Sequence, residues 1–125
     1  MIRLVVTAIV AAELLGWVSA AGADDGSKLS IAAGKIAFER VCAPCHGKGA
    51  GTDGAHMLPG SAALAARYQG KLSPYLEDRS DLKADALKVF VRRGIGAMPM
   101  FRKTEISDSE IEAVAAYFSA ANPTR

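Results

Sequence analysis

Only two cysteines occur in the chain, and just two residues separate them, at Cys42 and Cys45. A disulfide framework across the fold is therefore excluded, because two thiols inside one short motif close no useful loop. An excess of one charge is missing too. The formal net charge of +2 is too small for the concentrated basic face that nucleic acid requires. No stretch alternates apolar and polar residues with period two, so no sheet is expected. No apolar run reaches the roughly twenty residues of a membrane span without interruption, since Glu13 breaks the N-terminal one. A chain of 125 residues has room for one small domain. Its core is marginal, and it needs a staple other than a disulfide.

The first residues carry an export pattern instead of a span. Met1-Ile2-Arg3 is a short basic start, and an apolar stretch follows from Leu4 to Ala12. Val18-Ser19-Ala20 and Ala21-Gly22-Ala23 both fit the small-x-small pattern read by signal peptidase, and Asp24 opens polar sequence. The reading is a signal peptide over 1–23 and a domain over 24–125, with an uncleaved membrane anchor as the weaker alternative. Cleavage removes Arg3 and Glu13 together, so the charge balance is unchanged. The expected compartment is the periplasm, with no stable membrane span after cleavage and no nucleic-acid partner.

Both cysteines fall in Cys42-Ala43-Pro44-Cys45-His46. Cys-x-x-Cys-His is the attachment motif for c-type haem. Each thiol adds across one vinyl group of the porphyrin to form a thioether, and the imidazole after the second thiol reaches the iron from the same side. The vinyl positions are fixed, so the cysteine spacing is narrowly constrained. One covalently bound haem c is expected, held by Cys42 and Cys45 with His46 on the iron. A thioredoxin-type dithiol is the first rival, but it wants a strand before the motif. A zinc site is the second, and it needs four ligands where this chain offers Cys42, Cys45, His46 and at most His56. A free structural dithiol would be out of place in an exported protein.

The rest reads as all-α. Ser30 can cap a helix with Ile31, Gly34, Phe38, Val41 and Cys45 on one face, ended by Pro44 and Gly47. Residues 47–60 are glycine-rich loop, and Ser61 to Tyr68 is a short alanine-rich helix stopped by Gly70. Lys83 to Arg93 is a helix with Leu87, Phe90 and Val91 on one side, stopped at Gly94. Ser107-Asp108-Ser109-Glu110 is a capping box with Ile106 and Ile111 at the staple positions. Val114, Ala115 and Phe118 continue the apolar stripe towards Pro123.

This order of helix, haem motif, glycine-rich loop, helices, Met-Pro turn and amphipathic last helix resembles the class I cytochromes c, from about Gly34 to Phe118. The resemblance implies a single-domain fold wrapped round one haem, with the first and last helices crossing so that Gly34 and Phe38 meet Tyr117 or Phe118. It implies a distal methionine ligand in Gly96-Ala97-Met98-Pro99, hence Met98. A thioether is soft and neutral, favours ferrous iron and raises the potential. Met100 is the nearest rival, while His56 and Met57 lie in the loop. The resemblance also implies that the His46 imidazole donates its other N–H to the carbonyl of Pro59. Arg92, Arg93, Arg102 and Lys103 are candidates for haem propionates or a partner's acidic rim, or are simply solvated.

Val91 to Phe101, with the last helix, is similar to the small cytochrome subunits of flavin-dependent phenol-oxidising dehydrogenases of the p-cresol or eugenol type. The implied function is electron transfer through an exposed haem edge, which needs no substrate pocket and no catalytic residue. A dehydrogenase, in this subgroup a flavoprotein, is the expected donor. A downstream cytochrome or oxidase is the expected acceptor. The alternative is a haem enzyme, or a gas or peroxide sensor, whose distal ligand is labile.

Overall fold

Gly34 and Phe38 lie one helical turn apart, and that spacing decides how the chain packs. The computed structural model describes residues 22–51 and 54–123. Helix α1, Gly22–Ala37, passes Gly34 against the last helix, α5, Asp108–Ala121. A Cβ at Gly34 would stand 1.9 Å from the Ala113 carbonyl oxygen, so the two backbones approach as only glycine allows. One turn on, Phe38 meets Phe118 edge-on at 5.4 Å between ring centroids, with Tyr117 at 6.0 Å. The aromatic pair is the expected one. Gly34 itself meets Ala113 and Val114, a turn before Tyr117 and Phe118, because the backbones touch where the side chain is missing.

Ser30 does not cap α1. It lies mid-helix, and with no proline between residues 22 and 43 the helix extends back to Gly22. Of the expected leader, residues 1–21 lie outside the described residues. Beyond Ala37 the helix widens into a π-helical turn, Phe38–Cys42, closed by a bond from the Ala43 amide to the Phe38 carbonyl. The wider turn rotates the residues after it. Phe38 stays buried, Val41 and Cys42 are half-buried, and Cys45 leaves the inner face expected for it and is exposed. The short helix α2, Ala43–His46, carries the motif, with Pro44 in its opening turn instead of ending the first helix.

Helix α3 runs Pro59–Tyr68 and starts two residues before the expected Ser61, Pro59 again taking the first turn. The segment between α3 and α4 holds a 3-10 turn, Leu76–Asp78, that sequence pattern does not betray. Arg79, which is buried, ties this segment together by stacking on Tyr68 at 4.9 Å and donating to Asp81. The Tyr117 hydroxyl donates to Glu77 at 2.6 Å, and Lys48 donates to Asp78 at 2.6 Å. The same segment is thereby fixed to both the last helix and the loop after the motif.

Helix α4, Ala84–Arg93, buries Leu87 and Val91, one turn apart, while Phe90 falls off that line and is exposed. The capping box of α5 forms as expected. Ser107 accepts from the Glu110 amide at 3.1 Å and the Glu110 carboxylate accepts from the Ser107 amide at 2.7 Å. Ile106 and Ile111 on either side are both buried in the one core cluster. Among the described residues there is no strand beyond an isolated bridge between Ile95 and Met98, as the all-α reading expects. No described helix is long and apolar enough to cross a membrane.

The crossing yields a direct test. Gly34→Ala must push α1 and α5 apart, because the obstacle is backbone and cannot rotate away. A loss of about 3 kcal/mol or more is expected in denaturant unfolding. A gain of up to about 1 kcal/mol, the ordinary propensity advantage of alanine over glycine in a helix, would show that the helices do not cross here.

Candidate functional site

The motif is presented from a single helical turn, so its side chains differ sharply in surroundings. Cys42 packs against the core cluster, while Cys45 stands in solvent, and both thiols are free. Burial pushes the Cys42 thiol up to about 11, although Arg40 nearby works the other way. The thiol therefore stays protonated. Gly47 closes the turn, its amide donating to the Ala43 carbonyl at 2.9 Å.

His46 has the most telling environment. Its Nδ1 is buried with no hydrogen-bond partner. Burial also lowers its pKa below the ordinary 6.5, which favours the neutral imidazole that metals bind. The expected bond from His46 to the Pro59 carbonyl is not made. Pro59 is the first residue of α3, and its carbonyl points along that helix axis instead of towards the ring. The next residue meets His46. A Cβ at Gly60 would lie 2.7 Å from the imidazole Cε1, 2.8 Å from Nδ1 and 2.8 Å from the Cys45 carbonyl. Ser61 then locks α3 to the motif, fully buried and donating from Oγ to the Gly47 carbonyl at 3.2 Å. Sequence reasoning missed both residues. The signal was a glycine kept in the first turn of an alanine-rich helix, a position where it costs about 1 kcal/mol and needs a reason.

Met98 lies on a strap between α4 and α5. Ile95 and Met98 bond each other through both backbone groups, at 3.2 and 3.0 Å, round a tight turn. Gly96 opens that turn at φ +59, the pattern of a type II′ turn. Gly94 is needed for a second reason, since a Cβ there would meet the Met98 carbonyl oxygen at 2.6 Å. Met98 is half-buried against the core cluster that also contacts Cys42. Met100 is 67% exposed. His56 is exposed in the loop and Met57 is half-buried.

The basic residues divide. Arg92 is occupied inside the protein, donating to the carbonyls of Phe101 and Ile106 at 3.0 and 2.9 Å and to Asp108 at 2.6 Å. It is not a rim residue, because its place in the last turn of α4 turns it towards the strap. Lys103 pairs with Asp108, and Arg102 with Glu105, both at the surface. Arg93 is exposed. Lys103 and Arg92 together hold the Asp108 carboxyl down to about 2.

Two free thiols, a neutral imidazole with a partnerless nitrogen, a glycine-lined cradle and a half-buried thioether form a donor set that fits haem c. Bound there, the group would supply a one-electron ferric–ferrous couple. Among the described residues no three His, Cys, Asp or Glu side chains gather as a metal site, so the zinc alternative lacks its ligands there. The cradle can be tested. Gly60→Ala improves helix propensity yet places a methyl group in the ring, and about 1–3 kcal/mol of destabilisation is expected from the clash. The haem-stained fraction of purified protein should fall with it, and an unchanged fraction with raised stability would remove Gly60 from the site.

The chain matches the family model described as Cytochrome C oxidase, cbb3-type, subunit III, over residues 30–118. No curated protein and no solved structure matches it. The matched span runs from α1 through the motif and the strap to Phe118, and the chain belongs to this family: it is a c-type cytochrome, a haem-based electron-transfer protein that carries covalently bound haem c.

Proposed function

We propose that the protein is an exported, periplasmic cytochrome with one haem, which takes single electrons from a dehydrogenase and passes them towards an oxidase. Cys42 and Cys45 would hold the porphyrin by thioethers, and His46 and Met98 would ligate its iron. The observation that supports this reading is the His46 imidazole, favoured in its neutral form by burial and backed on its Nδ1 side by Gly60, beside two free thiols. Burial supports Met98 over Met100, because Met98 lies against the core cluster while Met100 is exposed.

The test is spectroscopic. Denaturing gels should keep the haem stain, because thioethers survive unfolding, and the mature chain should begin near Asp24. The ferric protein should show the weak near-infrared sulfur-to-iron charge-transfer band. Met98→Ala should abolish that band, lower the potential and open the iron to carbon monoxide. Retention of the band in Met98→Ala with loss in Met100→Ala would move the ligand two residues along.

The donor is read as a flavin-dependent dehydrogenase, and its docking surface as the tip of the strap turn, Gly94 to Ala97. Ile95 is 50% exposed there, Gly96 and Ala97 are exposed, and exposed Arg93 supplies positive charge beside them. Small residues allow close approach, and one aliphatic side chain gives an apolar contact. Ile95→Glu should slow reduction by the purified dehydrogenase several-fold while the haem spectrum is kept, because Ile95 holds Met98 by backbone bonds alone. Reversing the charge of Arg93 should act mainly on association rate and fade with salt. Unchanged reduction of Ile95→Glu would remove this surface and leave the carrier reading standing.

A further inference from the structure

The turn at Ile95 to Met98 sets Met98 relative to its own neighbours, but it does not set the turn relative to the core. At one end it hangs from Gly94, whose φ of +67 only a residue without a side chain adopts freely. The other end is held by α4. Phe101 is bound through both backbone groups to consecutive residues of the last turn of that helix. Its amide donates to the Val91 carbonyl at 2.8 Å, and its carbonyl accepts from Arg92 Nη1 at 3.0 Å. The second amino nitrogen of Arg92 reaches further along, to the Ile106 carbonyl and to Asp108 at the start of α5. A single side chain thus grips the strap three residues after Met98 and again where it enters α5. Arg40 adds a bond from the π-helical turn to the Glu105 carbonyl at 2.9 Å.

We propose that Arg92 is the positioning residue that holds the strap closed and so sets how readily Met98 leaves the iron. This rests on the reading of Met98 as the distal ligand. The two carbonyl bonds matter more than the ion pair. Arg92 is 22% exposed and its partners are backbone atoms, whereas Asp108 is 40% exposed and also shared with Lys103. Exposed pairs contribute little, while half-buried bonds from a charged donor are among the stronger ones. The planar fork of arginine is also required, because the two carbonyls are taken by two different nitrogens. A lysine ammonium is one point charge and cannot reproduce that span.

The experiment measures entry of imidazole into the ferric holoprotein at saturating imidazole, where departure of the native ligand limits the rate. Variants are Arg92→Met, Arg92→Lys and, as a matched control, Lys88→Met. Lys88 also bridges α4 to α5, through Glu112 at 2.6 Å, and makes no hydrogen bond to the strap. Arg92→Met should accept imidazole about ten- to hundredfold faster than wild type, the range set by losing bonds to a charged donor. Its near-infrared band should weaken. Arg92→Lys should fall between the two, and Lys88→Met should match wild type. A merely structural arginine would lower the unfolding midpoint and leave imidazole entry at the Lys88→Met rate, and that result overturns the proposal with Met98 ligation intact. If Arg92→Met gives no folded holoprotein, Arg92→Lys decides by the same criterion. A band that is absent in wild type, or that persists in Met98→Ala, overturns the ligand assignment and this proposal with it. The spectra alone separate that failure from the first.

Discussion

The close approach of Gly34 to the Ala113 carbonyl is the contact on which the remaining architecture depends. It lets α1 and α5 cross backbone to backbone, and the Phe38–Phe118 edge contact then seals the crossing one turn further on. Both ends of the site inherit their position from it. α1 runs directly into the π-helical turn and the motif, so the place of Cys42 and His46 follows from where α1 is held. The strap ends at the capping box of α5, so the place of Met98 follows from where α5 is held. A domain of this size has little core to spare, which makes the loss of one such crossing expensive.

Around that frame, polar atoms govern the irregular segments. The segment between α3 and α4 is fixed by Arg79 stacked on Tyr68 and by the Tyr117–Glu77 bond. The strap is fixed by Arg92 and Arg40, each reaching main-chain carbonyls. Chain without its own helical ladder leaves carbonyls that must be satisfied from elsewhere, and arginine can serve two at once. Burial then does the electrostatic part. It favours the neutral form of His46, the state suited to ligation, and keeps the Cys42 thiol protonated.

Where sequence reasoning went astray, the cause was local pattern applied across a non-local boundary. Ser30 has the chemistry of a cap, but nothing near it breaks the helix, so α1 runs through it. Phe90 fits a three- and four-residue stripe, yet the core touches only the narrower line of Leu87 and Val91. Pro59 stood where the resemblance wanted a carbonyl acceptor for His46, but as the first residue of α3 it aims that carbonyl elsewhere, and Gly60 makes the contact. Arg92 read as surface charge because composition says nothing about which way a side chain turns.

The sequence by itself determined the haem motif, the all-α class, the capping box of α5 and the glycine stop after α4. Each depends on residues within four or five positions of one another, where covalent spacing and helical hydrogen bonds act without help from distant parts of the chain. Only the tertiary structure decided that Met98 faces the core while Met100 faces water, that Gly60 backs the imidazole and that Arg92 fastens the strap. Those outcomes depend on atoms far apart along the chain, fourteen and sixteen residues for Arg92 with Ile106 and Asp108, meeting at van der Waals or hydrogen-bond distance. Such meetings exist only once α1 and α5 have crossed and the strap between the helices has been drawn in.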